Sequence, residues 1–139
     1  MRPANLLLIS MMLSFAAITQ AQDQSPASPE NVQVIEVIAR KYVFDPSPIH
    51  VKKGTRVQLK ITATDHAHGF SIEPYAEMVA KNGTPGLEFA APQKCFKIDK
   101  GETVTVEFVA QAEGTYHFKC CTDCGFHHRS MKGELIVDP

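Results

Sequence analysis

Soft metal donors are concentrated in a stretch of twelve residues near the end of the chain, from Cys120 to Met131. It holds three of the four cysteines, two of the six histidines and one methionine. Cys120, Cys124, His128 and Met131 follow the spacing Cys-x3-Cys-x3-His-x2-Met. Copper and zinc both accept thiolate and imidazole, but a thioether offered as a weak further donor favours copper. The stretch therefore predicts a copper site.

Other interpretations of the same residues remain open. An even number of cysteines in an exported protein is compatible with disulfide bonds. The neighbours Cys120 and Cys121 would need a strained vicinal bridge, so Cys95 and Cys121 are the easier pair. A zinc site of three cysteines and one histidine is also compatible with the sequence, but it leaves Met131 without a role. A lone histidine or methionine is most often an ordinary surface or core residue.

The metal-donor stretch and a segment upstream of it together resemble a known family. The spacing Cys-x3-Cys-Gly-x2-His-x2-Met is similar to the metal loop of the binuclear CuA centre, found in subunit II of haem-copper oxidases and in nitrous oxide reductase. The family places a second histidine far upstream in an Asp-x2-His-x-Phe setting, which residues 65–70 supply as Asp-His-Ala-His-Gly-Phe. The resemblance covers roughly residues 34–137. It implies an all-β fold, a cupredoxin-like Greek-key β-sandwich or barrel with the metal loop between the last two strands.

The resemblance also implies a site for two copper ions. The implied metal ligands are His68, Cys120, Thr122 through its backbone carbonyl, Cys124, His128 and Met131. Both thiolates would bridge the two ions. His68 would bind one of them, with Met131 as its weak axial donor. His128 would bind the other ion, opposite the Thr122 carbonyl.

The upstream segment and the loop also raise expectations for residues beside the ligands. His66 and His68 lie on the same side of an extended segment because side chains alternate with period two. The family pattern uses only His68, so His66 is expected to face solvent. Asp65 either orients His68 by a hydrogen bond or is a simple turn residue. The chain departs from oxidase subunits in having no tryptophan, no convincing membrane anchor and a threonine at 122, and these departures argue against a working oxidase subunit. Cys121 stands where the family often has serine or another small residue, and a third thiol there would affect metal loading.

Residues 1–21 have the pattern of a secretory signal, with Arg2, an apolar run and a small-residue cleavage site at Thr19-Gln20-Ala21. The run is shorter than the roughly 18–20 apolar residues that a spanning helix needs, so cleavage is favoured over an anchor. Residues 22–31 are predicted to be a flexible linker and residues 32–139 the cupredoxin domain. The protein is therefore expected to be periplasmic or otherwise exported. It would be soluble after cleavage and would associate with a membrane only if the segment stays uncleaved.

Alternation of apolar and polar residues predicts strands through this domain. The predicted strands are residues 34–43, 49–51, 57–61, 70–72, 96–98, 104–108, 114–120 and 133–137. Residues 73–91 are expected to be irregular, with a short helical turn at residues 75–81.

Composition and motifs narrow the function. A formal net charge of −1 suggests neither nucleic acid nor an anionic membrane surface as partner. The chain shows no catalytic triad order, phosphate-binding glycine loop or paired carboxylates, so neither catalysis nor a small-molecule substrate is expected. The leading hypothesis is an exported electron-transfer protein with a binuclear CuA-like centre and a cytochrome c-like or oxidase partner. A mononuclear blue-copper carrier, a copper chaperone for an oxidase and an oxidase subunit II-like component remain alternatives.

Overall fold

A computed structural model describes residues 31–139, apart from the side chain of His128. The predicted signal segment, residues 1–21, and residues 22–30 of the predicted linker lie outside the described residues. The described part contains ten strands and one 3-10 turn, His128–Ser130. The strands are β1 Val32–Arg40, β2 Val43–Asp45, β3 Ile49–Lys52, β4 Arg56–Ala63, β5 His68–Ile72, β6 Leu87–Phe89, β7 Phe96–Ile98, β8 Thr103–Ala110, β9 Gly114–Lys119 and β10 Lys132–Asp138.

The strands form two five-stranded sheets, in the orders β2-β1-β4-β8-β6 and β3-β10-β9-β5-β7. The pairs β1–β4 and β3–β10 are parallel, and the other neighbouring pairs are antiparallel. Both sheets contribute side chains to one buried core. The prediction of an all-β Greek-key sandwich is confirmed.

Strand β4 shows why the sequence folds in this way. Its residues Val57, Leu59 and Ile61 are fully buried, whereas Lys60 between them is exposed. Strand side chains alternate between the two faces of a sheet, so one face of β4 enters the core and the other meets solvent. Burying each of these aliphatic side chains contributes about 1.5–3 kcal/mol. The alternation read from the sequence is confirmed here and in β8.

Other elements differ from the sequence predictions. The run at residues 34–43 is interrupted by a turn at Lys41-Tyr42 and forms β1 and β2. The helical turn predicted at residues 75–81 is wrong, because this segment has irregular turns. Strand β6 was not predicted, and β5 begins at His68 rather than at Phe70. Within residues 31–139, no helix combines the length and the apolar character needed to cross a bilayer.

The twelve residues Cys120 to Met131, here called the metal loop, connect β9 to β10. A disulfide joins Cys121 in this loop to Cys95, just before β7, with their Cα atoms 5.8 Å apart. The disulfide that the sequence left open is therefore present, but it uses only two of the four cysteines. Cys120 and Cys124 are free and buried. Of the two possibilities for Cys121, a third loop thiol or a disulfide half, the structure has the disulfide.

The disulfide predicts a measurable loss of stability on its removal. It links residues 26 positions apart, and closing a loop of that length stabilises a fold by about 3 kcal/mol. Replacing Cys95 and Cys121 together by serine should lower the free energy of unfolding by about this amount in urea denaturation of the metal-free protein. The single variant Cys95→Ser also lacks the bridge but keeps the Cys121 side chain. The difference between the two variants therefore gives the effect of replacing Cys121 itself. An unchanged denaturation midpoint in the double variant would show that the bridge contributes nothing to stability.

Candidate metal centre

Backbone pairing holds the two ends of the metal loop together. Lys119 at the end of β9 pairs with Lys132 at the start of β10. The backbone N–H of Cys120 then donates a hydrogen bond to the carbonyl of Met131 at 2.9 Å. The first and last candidate ligands of the loop are therefore neighbours at its base.

Gly69 lets the metal loop lie directly on strand β5. A Cβ atom at this glycine would stand 2.7 Å from Cys121 Sγ and 2.8 Å from Thr122 Cγ2. Atoms cannot approach so closely, so any side chain here would push the loop away from the strand. Because His68 precedes Gly69, this contact also sets the distance between the loop sulfurs and the His68 ring.

Two free thiols and a thioether meet beneath the loop. The sulfurs of Cys120 and Cys124 are 3.1 Å apart, and Cys124 Sγ is 3.9 Å from Met131 Sδ. The Thr122 carbonyl oxygen lies 3.4 Å from Cys120 Sγ. Burial, together with the neighbouring Cys120 thiol, raises the pKa of Cys124 to about 12. Cys124 is therefore a neutral thiol in the metal-free protein, and a metal ion must displace its proton to bind.

The His68 ring offers one nitrogen to this cluster. Its side chain is fully buried, and its Nε2 lies 2.7 Å from Asp65 Oδ1. A carboxylate only accepts hydrogen bonds, so Nε2 carries the hydrogen and Nδ1 keeps a lone pair. Nδ1 is buried and has no hydrogen-bond partner. An unpartnered imidazole nitrogen beside sulfur donors is the arrangement expected for a metal ligand.

Asp65 orients the upstream histidine. Burial by itself raises the pKa of the Asp65 carboxyl. The hydrogen bonds from His68 and from the backbone N–H groups of Lys41 and His66 outweigh it, and the pKa lies well below its usual range. Asp65 is therefore ionised at neutral pH and fixes the tautomer of His68. The expectation that Asp65 bonds to His68 is confirmed.

His66, expected to face solvent, is half-buried, with 29% of its side chain exposed, and its ring also contacts the metal loop. Its Nε2 lies 2.7 Å from the Cys124 carbonyl oxygen, so the ring bonds to the metal loop. Its Nδ1 lies 3.0 Å from Asp65 Oδ2, and its ring centroid is 4.2 Å from that of His68. One ligand atom each from His66, His68 and Cys124 fall within 4.8 Å of one another.

The outer part of the loop reaches the surface. Gly125 turns the chain after Cys124 with φ of 119°, a left-handed conformation that favours glycine. Phe126 beyond it is fully exposed, and the exposed His127 packs edge-on against Tyr42 with ring centroids 5.2 Å apart. The loop thus presents a large apolar side chain to solvent within a few residues of the buried sulfurs.

Five of the six predicted ligands lie in one cluster at the base of the metal loop. These are His68, Cys120, the Thr122 carbonyl, Cys124 and Met131. His128 begins the 3-10 turn, and its imidazole lies outside the described part of the structure. Two thiols, a thioether and a free imidazole nitrogen form a soft donor set that fits copper. Their role as copper ligands stays a prediction.

Comparison with known proteins defines the class to which this fold and donor set belong. The cupredoxin-like domain family matches residues 6–137, and the chain belongs to this family. Cytochrome c oxidase subunit 2 of Thermus thermophilus is 30% identical over 107 residues, which make up 77% of this chain and 67% of that protein. A second subunit 2 from the same species is also 30% identical, but the match spans only 54% of its length.

Solved structures of related proteins share this fold. The periplasmic domain of cytochrome oxidase subunit II, CoxB, of Bradyrhizobium japonicum has a TM-score of 0.57 at 14% identity, covering 76% of this chain and 83% of that one. Reduced auracyanin from Roseiflexus castenholzii has a TM-score of 0.54 at 26% identity, covering 77% of this chain and 98% of that one. The predicted resemblance to the oxidase subunit II family is confirmed.

The contact between Asp65 and His68 predicts a loss of copper affinity on mutation. In Asp65→Ala, His68 loses the acceptor that fixes its tautomer and ring orientation. Copper affinity in competition with a chelator should fall about 10–100-fold, as for other partners of metal-bound histidines. Asp45→Ala, which removes an exposed carboxylate paired with Arg40, is the matched control and should leave the affinity unchanged. Equal affinities for the two variants would contradict the assigned role of Asp65.

Proposed function

We propose that this chain is an exported one-electron carrier with a binuclear copper centre. One observation carries the proposal: two free, buried thiols lie 3.1 Å apart at the base of the metal loop. A mononuclear blue-copper site uses one thiolate. A second thiol at this distance supports a pair of metal ions bridged by both sulfurs.

The residues around the thiols have separate roles in this proposal. His68 Nδ1 would bind one copper ion, with Met131 as a weak axial donor. His128 would bind the other, together with the Thr122 carbonyl. Copper supplies the chemistry, because it changes between two oxidation states by one electron. The protein residues hold the ligands in place and exclude water, since Cys120, Cys124 and His68 are all buried.

Rigid support of the ligands favours electron transfer over catalysis. The loop base is closed by a backbone hydrogen bond, the Cys95–Cys121 disulfide ties the loop to the segment before β7, and Gly69 seats the loop on β5. A site held in one geometry reorganises little when its charge changes. The burial of the sulfur and imidazole donors also leaves a substrate little access to them. An electron needs no such access.

The partner and the compartment belong to the same proposal. The signal-like pattern of residues 1–21 supports export to an oxidising compartment, where a disulfide persists. Homology to cytochrome c oxidase subunit 2 supports a cytochrome c-like or oxidase partner. Exposed Phe126 and His127 supply an apolar surface next to the centre, suited to a brief docking contact.

Copper stoichiometry and electron paramagnetic resonance test the binuclear centre. One unpaired electron shared equally by two copper nuclei gives seven hyperfine lines, whereas one copper gives four. The fully loaded wild type should bind two coppers and show seven lines, and Cys120→Ser should bind one and show four. The double variant Cys95→Ser/Cys121→Ser keeps both free thiols and should still bind two. One copper in the saturated wild type would refute the binuclear proposal.

The exposed loop residue Phe126 gives a second test. In Phe126→Ser the copper ligands remain, but the apolar docking surface is lost. The bimolecular rate of electron exchange with cytochrome c should fall about tenfold, while the resonance spectrum stays unchanged. Met78→Ser is the matched control, because Met78 is equally exposed and its neighbour Glu77 bonds to Thr115 at the opposite end of β9. Equal rates in the two variants would exclude Phe126 from the docking surface.

A further inference from the structure

Two imidazole rings beside the thiols each present a buried nitrogen without a hydrogen-bond partner. In both His66 and His68, Nε2 is engaged, by the Cys124 carbonyl in one case and by Asp65 in the other. In both, Nδ1 is buried and makes no hydrogen bond, and that of His66 lies 3.0 Å from the Asp65 carboxylate. A buried polar atom without a partner costs free energy, so two of them side by side call for an explanation. The ligand set implied by the family resemblance explains only one of these two nitrogens, the Nδ1 of His68.

The two rings and one thiol are close enough to share a metal ion. One ligand atom each from His66, His68 and Cys124 lie within 4.8 Å of one another. The backbone bends at residues 64–66 and places the two rings side by side, with centroids 4.2 Å apart, so both can turn towards one ion. Met131 Sδ lies 3.9 Å from Cys124 Sγ and completes the group. Two imidazoles, one thiolate and a weak thioether are the donor set of a mononuclear cupredoxin site.

We propose that a single copper ion binds to His66, His68 and Cys124, with Met131 as a weak axial donor, when less than a full complement of copper is present. This site needs neither Cys120 nor His128. It rests on the copper-binding part of the proposed function but does not require the binuclear centre. The two sites share His68, Cys124 and Met131, so one excludes the other.

Charge around His66 supports a cation in this place. Asp65 Oδ2 lies 3.0 Å from His66 Nδ1 without forming a hydrogen bond to it. A carboxylate stabilises a positive charge within a few ångströms of it, so Asp65 would stabilise a metal cation bound at this nitrogen. Asp65 would then have two roles. It would orient the His68 ring and balance the charge of a copper ion bound to His66 and His68.

The experiment uses a background in which the binuclear centre cannot form. Cys120→Ser is loaded with one equivalent of Cu(II), and pulsed electron paramagnetic resonance counts the imidazole nitrogens coupled to copper. The same measurement is made on three double variants, in which Cys120→Ser is combined with His66→Gln, His128→Gln or His117→Gln. Glutamine at position 66 keeps an N–H donor for the Cys124 carbonyl but removes the imidazole, so it separates a ligand from a positioning residue. His117 is exposed on β9 and serves as the matched control.

The expected result is specific to His66. The Cys120→Ser background should show two coupled imidazoles, and adding His66→Gln should leave one and lower copper affinity by at least about tenfold. His128→Gln and His117→Gln should leave both. If His66→Gln keeps two imidazoles, His66 only positions the loop and the proposal fails. The proposal also fails if His128→Gln lowers the number of coupled imidazoles from two to one. Failure of the binuclear centre is seen separately, as a single copper in the saturated wild type.

Discussion

The contact between the metal loop and strand β5 at Gly69 is the constraint on which the rest of the site depends. A side chain at this position would collide with Cys121 and Thr122, so only glycine lets the loop backbone rest on the strand. The disulfide from Cys121 to Cys95 holds the same part of the loop from the other side. His68 and the sulfurs therefore belong to one rigid cluster, although they come from parts of the chain some fifty residues apart.

The candidate ligands are also residues of the hydrophobic core. Cys120, Cys124 and Met131 belong to the same buried cluster as the aliphatic side chains of the strands. Phe70 lies two residues after His68, and Phe118 two residues before Cys120, so each aromatic ring shares a strand face with a ligand. Their rings pack with centroids 5.2 Å apart. The two ligand-bearing strands β5 and β9 are paired antiparallel, so their backbone hydrogen bonds set their separation. The aromatic contact packs the core beside the ligands.

The sequence predicted the parts of this structure that depend on local pattern. Strand β4 follows from period-two alternation, whereas β6, Leu87–Phe89, has only three residues between turn-forming neighbours and gives no such pattern. The sequence favoured Cys95 and Cys121 as the easier disulfide pair but left it open, because the bridge depends on β7 lying beside β5, a long-range contact. The contacts of His66 escape the sequence prediction for another reason. The family pattern uses one upstream histidine, and the hydrogen bond from the His66 ring to the Cys124 carbonyl joins residues far apart in the chain.

Under the two proposals, one carboxylate, Asp65, would serve two alternative metal sites. One of its oxygens bonds to His68, proposed as a ligand in both, and the other faces His66, proposed as a ligand only in the mononuclear one. With a single ion, His66, His68 and Cys124 would hold the positive charge. With two ions, as in the proposed binuclear centre, Cys120 and His128 would join His68, Cys124 and Met131 as ligands. The Cys124 carbonyl then remains the partner of His66, as in the metal-free structure. The same histidine can thus bind the first ion and afterwards support the loop that holds both.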